Sequence, residues 1–321
     1  MVPRIAALAL ALAVPLAGGC SNKKSGQPAE IEPPVDGDFT VVLIPDTQYY
    51  VGPNAHLFQE QIQWIADNKD ARNIVFAIHL GDMTNNNSPG EWKKVDRFMR
   101  PLEQAGVPYS VLPGNHDGVH RGKVFSTLYN QTFGVARFAG KPWYGGHYGD
   151  TNDNNYTFFE AGGMEFMVLS LSFGTPQEYI DWADEILAKY PNKRVIFATH
   201  SYLDDDGTYL ERGEEYAVEH ERWRDGAKVW AMLKKHPNVF MTVCGHVPDQ
   251  GYRRSTNDAG KTVHEILANY QGNKNGGNGY LRLLRFSPSR DKIYVEAYSP
   301  PLDKYWRDPK HEMVLDYPMP D

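Results

Sequence analysis

Five short apolar runs along this chain each end on a polar residue. Val41-Val42-Leu43-Ile44 stops at Pro45-Asp46, and residues 73–80, with Ile74, Val75, Phe76 and Ile78, stop at Gly81-Asp82. Residues 109–112 run into Pro113-Gly114-Asn115-His116-Asp117, residues 195–198 into Thr199-His200, and residues 239–243 into Gly245-His246. Apolar runs of about four to eight residues bounded by turn residues are the pattern of buried strands. The spacing therefore predicts strands that deliver polar side chains at their carboxyl ends, where ligands gather in open α/β sheets.

Between these runs the period becomes helical. Phe58, Ile62 and Ile65 fall on one face. Ser88-Pro89-Gly90-Glu91 combines an N-cap, a first-turn proline and a capping-box glutamate, and Trp92, Val95, Phe98 and Leu102 follow as a buried stripe. Pro101 is expected to kink or end that helix. Tyr179, Trp182, Ile186 and Leu187 mark a third. Strands return at 262–268, 280–286 and 292–298, which predicts an α/β protein with a two-layered sheet core and helices outside.

The N-terminus changes the picture. Arg4 precedes the apolar residues 5–17, and small residues lead to Cys20, which reads as a lipoprotein-type export signal over residues 1–20. The apolar run is shorter than the ~20 residues that span a bilayer. Lipid on Cys20, following Leu16-Ala17-Gly18-Gly19, would attach the protein to a membrane outside a bacterial cytoplasm, facing the periplasm or the cell surface; an ordinary cleaved signal is the alternative. A single acyl chain binds marginally, so firm attachment takes more than one. Residues 21–37, with Pro28, Pro33 and Pro34, read as a flexible linker, and residues 38–321 as one folded domain. Cys244 is the one further cysteine, so a core rather than disulfides must hold that domain. A net charge of −7 argues against nucleic acid as the main partner, since that contact needs a basic face.

Asp46-Thr47-Gln48, Gly81-Asp82, Gly114-Asn115-His116-Asp117, His200 and Gly245-His246 together offer carboxylate, amide and imidazole donors suited to a pair of divalent metals. Taken singly, Asp46 and Asp82 read equally as caps or turn residues, and His200 and His246 as core histidines. The order of the whole set, each piece after a strand, favours ligands. In this order the motifs resemble the calcineurin-like metallophosphoesterases over residues 46–246. The resemblance implies a four-layer α/β/β/α sandwich and a phosphoesterase that hydrolyses P–O bonds of a phosphoester substrate with a metal-bound hydroxide. It implies Asp82 as the bridge between two metals, with Asn115, His200 and His246 completing the second ion's ligands. His116 is implied as general acid or charge stabiliser, and Asp117 could orient it or only shape the turn.

Two positions depart from the family pattern, which has histidine where this chain has Gln48 and Pro248. The first ion is left with Asp46, Asp82 and Gln48, an oxygen-only set that favours a harder ion such as Mn or Mg; the nitrogen-rich site suits Mn, Fe or Zn. Gln48 could equally be a hydrogen-bonding residue that touches no metal. Asp249, His264 or a backbone carbonyl near Val247 are candidates for the place left by Pro248. The alternative function is a non-catalytic metal-binding lipoprotein of the same fold, with the first metal site degraded. Outside the motifs, Arg253 and Arg254 could grip a substrate phosphate or form a plain surface pair. Residues 272–279 around Lys274 read as a flexible strand connection, lacking the ending of a P-loop. Asp204-Asp205-Asp206-Gly207 reads as a solvated acidic turn, and His147-Tyr148 as a mobile lid over the metals.

Overall fold

The computed structural model describes residues 30–120, 123–124, 126–217 and 226–319. The expected signal, Cys20 and the first part of the linker lie outside the described residues. Along the chain, β1 (Phe39–Ile44) leads through α1 (Ala55–Asp67) to β2 (Ile74–His79), and α2 (Pro89–Gln104) leads to β3 (Tyr109–Ser110). A ribbon of β4 (Val119–His120) and β5 (Lys123–Val124), then α3 (Thr127–Phe133) and α4 (Val135–Phe138), precede β6 (Tyr144–His147), β7 (Asn155–Ala161) and β8 (Met164–Leu171). Helix α5 (Gln177–Lys189) connects to β9 (Arg194–Thr199), and α6 (Gly226–Leu233) to β10 (Val239–Cys244). The order closes with β11 (Asp249–Thr256), β12 (Thr262–Asn269), the short α7 (Lys274–Gly277), β13 (Leu281–Ser287), β14 (Lys292–Ser299), β15 (Lys304–Tyr305) and β16 (Met313–Asp316).

These strands form two main sheets. One runs β15-β14-β13-β1-β2-β3, with β16 also on β14; the other runs β11-β12-β10-β9-β8-β7-β6. Alternation along β1 sorts its side chains between two layers. Val41 and Leu43 face the second sheet, packing with Phe76, Phe166, Ile196 and Val243, while Val42 and Ile44 face the layer of α1 and α2. On the second sheet, Leu169 and Leu171 pack instead with Ile180 and Leu187 of α5 and Val229 of α6. The result is the α/β/β/α sandwich. Strands buried on both faces explain why the sequence shows continuous apolar runs rather than alternation.

The capping box forms as the sequence predicts: Ser88 Oγ accepts from Glu91 N at 3.4 Å and Glu91 Oε2 accepts from Ser88 N at 3.1 Å. Pro101 does not end α2, which continues to Gln104 over the buried Phe98, Met99 and Leu102. The segment past residue 260 is integral, because β13 pairs antiparallel with β1 in the middle of the first sheet. The hairpin of β7 and β8, with β6 at its edge, extends the second sheet beyond the strands the sequence predicts. What matters for function is direction. Strands β1, β2 and β3 are mutually parallel, as are β8, β9, β10 and β12, so their carboxyl ends meet on one rim.

The sheet-to-sheet core should dominate stability. Phe166 stacks on Phe159 at 4.7 Å and meets the rings of Phe39, Phe240 and Phe286 at 5.8, 6.1 and 5.8 Å. Phe166→Ala is expected to cost about 3–5 kcal/mol, and Ser88→Ala about 1 kcal/mol. Urea denaturation of the two variants beside the wild type checks this; equal shifts would contradict it.

Candidate metal centre

Each motif glycine makes room for a donor from a neighbouring strand. A Cβ on Gly81 would lie 2.6 Å from His200 Nδ1, one on Gly114 2.1 Å from Asp82 Oδ1, and one on Gly245 2.2 Å from Asp46 Oδ1. No larger residue lets these side chains converge. Asp82 and His246 themselves hold left-handed backbone, with φ of 50° and 74°. Non-glycine residues keep that conformation where the surroundings over-determine it, as functional sites do.

Three of the motif donors converge. One ligand atom from each of Asp82, His200 and His246, all buried, lies within 4.8 Å of the others. Asp82 Oδ2 sits 3.3 Å, and Asn115 Oδ1 3.1 Å, from His200 Nε2. The ring orientations can be assigned from their outer partners. His200 Nδ1 is 2.7 Å from the Leu80 carbonyl, which can only accept, so Nδ1 donates outward and Nε2 is the nitrogen turned to the cluster. His246 is the reverse: Nε2 donates to the Tyr216 carbonyl at 2.7 Å, leaving the lone pair on Nδ1. Metal-binding imidazoles are commonly oriented by such a second hydrogen bond.

Asp46 and Gln48 lie beside this cluster with one oxygen each to spare. Asp46 Oδ2 accepts from His246 N at 3.0 Å and from Asn269 Nδ2 at 2.9 Å, while its buried Oδ1 has no partner. Gln48, in a single 3₁₀ turn after β1, donates through Nε2 to Gln271 Oε1, and its buried Oε1 has no partner. Buried oxygens are rarely left without a donor. The buried carboxylates and imidazoles shift one another strongly. Burial pushes Asp46 up to about 8, with His200 opposing and Asp82 adding to the rise. Burial disfavours the imidazolium of His200, yet Asp82 and Asp46 outweigh it and raise that group to about 9. Burial also works against the charged form of Asp82, but His200 holds it below the usual carboxylate range. His246 is pushed down to about 4 by burial and then by His200, which favours the neutral imidazole that binds metals.

His116 sits at the margin of the cluster, half-buried, its backbone N–H donating to Asp82 Oδ1 at 2.9 Å. Its ring Nδ1 lies 2.7 Å from the Asn85 carbonyl, which leaves Nε2 as the nitrogen able to exchange a proton with a substrate. Asp117 does not orient this ring. Its carboxylate accepts from Met83 N, Thr84 N and Gly114 N at 3.0, 2.9 and 3.1 Å and from Thr84 Oγ1 at 3.0 Å. It latches the loop after β2 to the turn after β3. Burial, then Asp82, lifts it to about 6 against those amides. His79 plays a similar part: its Nδ1 accepts from Gly81 N at 3.2 Å and its Nε2 faces Thr47 Oγ1 at 3.1 Å. Burial keeps His79 neutral, near 3.

Several expected residues lie elsewhere. Asp249 turns out to Lys310 at 2.8 Å, and both ring nitrogens of His264 are engaged, by Tyr252 Oη and the Asp316 carbonyl at 2.9 Å each. Neither fills the place left by Pro248. Arg253 and Arg254 are not at the cluster. They pair with Glu265 and His264 on β12, about 13 Å down the strand from Asn269 at 3.3 Å per residue. Arg253 lies over the Tyr209 ring at 4.4 Å and Arg254 donates to Thr262 Oγ1 at 3.3 Å. The strand after the last motif runs away from the rim, so proximity in sequence misleads. His147 is part of β6, and Tyr148 packs on Tyr179 at 5.1 Å and Trp182 at 5.8 Å, a fixed edge rather than a lid. The turn around Lys274 packs against the Gln48 turn, where a Cβ on Gly276 would lie 2.7 Å from Tyr49 Cβ. Asn269, Gln271, Asn85 and His79 belong to the site without belonging to a motif. Asn269 alone carried a signal, ending the apolar run Ile266-Leu267-Ala268 as the other donors end theirs.

Asp117→Asn would set an amide NH₂ either against the backbone N–H of Thr84 or against those of Met83 and Gly114. It is expected to cost about 2 kcal/mol, whereas His116→Ala should leave the urea midpoint close to that of the wild type.

The family model for calcineurin-like phosphoesterases matches residues 39–250. The uncharacterized protein YvnB of Bacillus subtilis is 35% identical over 277 residues, which are 84% of this chain and 20% of that protein. The probable glycerophosphodiester phosphodiesterase GpdQ of Arcobacter nitrofigilis is 24% identical over 178 residues, 53% of this chain and 55% of that protein. The chain thus spans about a fifth of one curated relative and about half of the other. In fold it is similar to a dimetal phosphatase from Danio rerio, with a TM-score of 0.53 at 15% identity over 87% of this chain and 99% of that one. It is also similar to the purple acid phosphatase PPD1 of yellow lupin, with a TM-score of 0.54 at 13% identity over 88% of this chain and 54% of that one. With the motif donors gathered at the rim of the same sandwich, the chain belongs to the calcineurin-like phosphoesterase family.

Proposed function

We propose that this protein is a metal-dependent phosphoesterase that hydrolyses P–O bonds at a pair of divalent ions. The observation that carries this reading is the pair of buried, unpartnered oxygens on Asp46 and Gln48 beside the Asp82–His200–His246 cluster. Asn115, His200 and His246 would hold a nitrogen-rich ion such as Mn, Fe or Zn. Asp46 and Gln48 would hold a harder one such as Mn or Mg, with Asp82 shared. Bound ions supply an acidified water and draw charge from the phosphoryl oxygens. The chain's own part is positional. His116, fixed through Nδ1 by the Asn85 carbonyl, aims Nε2 at the leaving oxygen and gives it a proton. Phe173, with its ring 5.8 Å from His200 and 5.0 Å from His246, walls off water on one side. Tyr49 and Tyr216, exposed by 47% and 46%, offer ring faces to the organic part of the ester.

The rival reading, a binding lipoprotein with the first metal position degraded, does not account for those two oxygens. Export and lipid attachment at Cys20 belong to the proposal and rest on Arg4, the apolar residues 5–17 and the small residues before Cys20.

On this reading His116→Ala lowers kcat by about 10²–10⁴-fold on p-nitrophenyl phosphate or its bis ester, while metal content by elemental mass spectrometry stays at two ions per chain. A wild-type protein that holds metal yet cleaves neither ester would favour the binding lipoprotein. For the anchor, Cys20→Ser should move the protein from the membrane to the soluble fraction of a lysed bacterial host. Unchanged partition would remove Cys20 as the attachment point.

A further inference from the structure

We infer that Gln271 makes Gln48 a metal ligand, and that it does so in place of the histidine this chain lacks at Pro248. The inference rests on the two-ion reading above. It starts from a group whose hydrogen-bonding role has no ambiguity. The His246 carbonyl can only accept, and it receives Asn269 Nδ2 at 3.0 Å and Gln271 Nε2 at 3.3 Å. Gln271 therefore turns its NH₂ toward His246 and its Oε1 the other way, toward Gln48. Gln48 must meet that oxygen with its own NH₂, which it does. The only remaining atom, Oε1, is then the one left buried and unpartnered.

The consequence is chemical. An amide has one end that can bind a cation and one that repels it, and nothing in Gln48 itself selects between them. Gln271 selects the oxygen. Asn269 treats Asp46 in the same way: its NH₂ bridges the His246 carbonyl and Asp46 Oδ2, which leaves Oδ1 for the ion. Its own orientation is fixed because Asn269 Oδ1 accepts from Gln271 N at 2.9 Å. Pro248 has a part in this arrangement. A Cβ on Gly272 would lie 3.2 Å from Pro248 Cβ, so the proline packs against the turn that carries Gln271. The position that loses a donor thus supports the residue that orients another.

Manganese binding to the metal-free full chain, followed by titration calorimetry, tests Gln271 as a positioning residue. The wild type should bind two Mn²⁺, one more weakly. Gln271→Met, close in shape but without polar atoms, should weaken that second event about 10–100-fold, as loss of a ligand's outer partner does, and leave the tighter one unchanged. Gln48→Glu supplies an oxygen at either end of the side chain and needs no orienting. In that background Gln271→Met should weaken the second event less than about threefold, which separates orientation from a general loss of structure. The inference is overturned if Gln271→Met has no effect, or the same effect in both backgrounds, while the wild type binds two ions. A wild type that binds a single Mn²⁺ at saturation overturns the two-ion reading itself.

Discussion

Two carboxylates buried within one rim set the terms for everything around them. Asp46 and Asp82 are 3% and 1% exposed. Isolating an ionised carboxylate in such surroundings costs several kcal/mol unless donors or a cation compensate. The protein compensates only in part. Backbone amides of His116 and His246 and the amide of Asn269 reach one oxygen or the other, and Asp46 Oδ1 receives nothing. On the proposed reading this incomplete satisfaction gives the site its pull on divalent ions, and the two packed sheets hold the rim in place.

That rigidity is local as well as global. Glycines at 81, 114 and 245 stand where any side chain would collide with a donor of a neighbouring strand. The residues after two of them, Asp82 and His246, hold left-handed backbone. Around this strained ring lie groups with no direct role in chemistry: Asp117 joins two loops, His79 props Gly81 against Thr47, and Asn85 fixes the His116 ring. The inner donors are held because the outer ones are saturated.

The chain past the family match contributes more than a tail. Strand β13 fills the middle of the first sheet, and the turn after β12 brings Asn269 and Gln271 against Asp46 and Gln48. Gln48, one of the two positions that differ from the family pattern, is met by the Gln271 amide, and Asp46 by the Asn269 amide. On the two-ion reading, the asymmetry of the centre, nitrogen on one side and oxygen on the other, is built across the whole fold.

The sequence by itself determined the strands that carry the donors, because buried parallel strands read as unbroken apolar runs and their ends are marked by glycine and polar residues. Asp46, Asp82, Asn115, His200 and His246 could be picked out for that reason, and the capping box at Ser88 for a similar, purely local one. Only the tertiary structure decided which way each donor faces. Asp117 and His116 are neighbours in sequence, yet the turn sends the carboxylate inward to backbone amides and leaves the ring to a carbonyl from another loop. Arg253 follows the last motif closely, yet an antiparallel strand carries it away from the rim. Asn269 and Gln271 are far from Asp46 and Gln48 in the chain and meet them only because β12 lies parallel to β10. Periodicity encodes burial, which is local; the choice between the two ends of an amide depends on what the fold places opposite it.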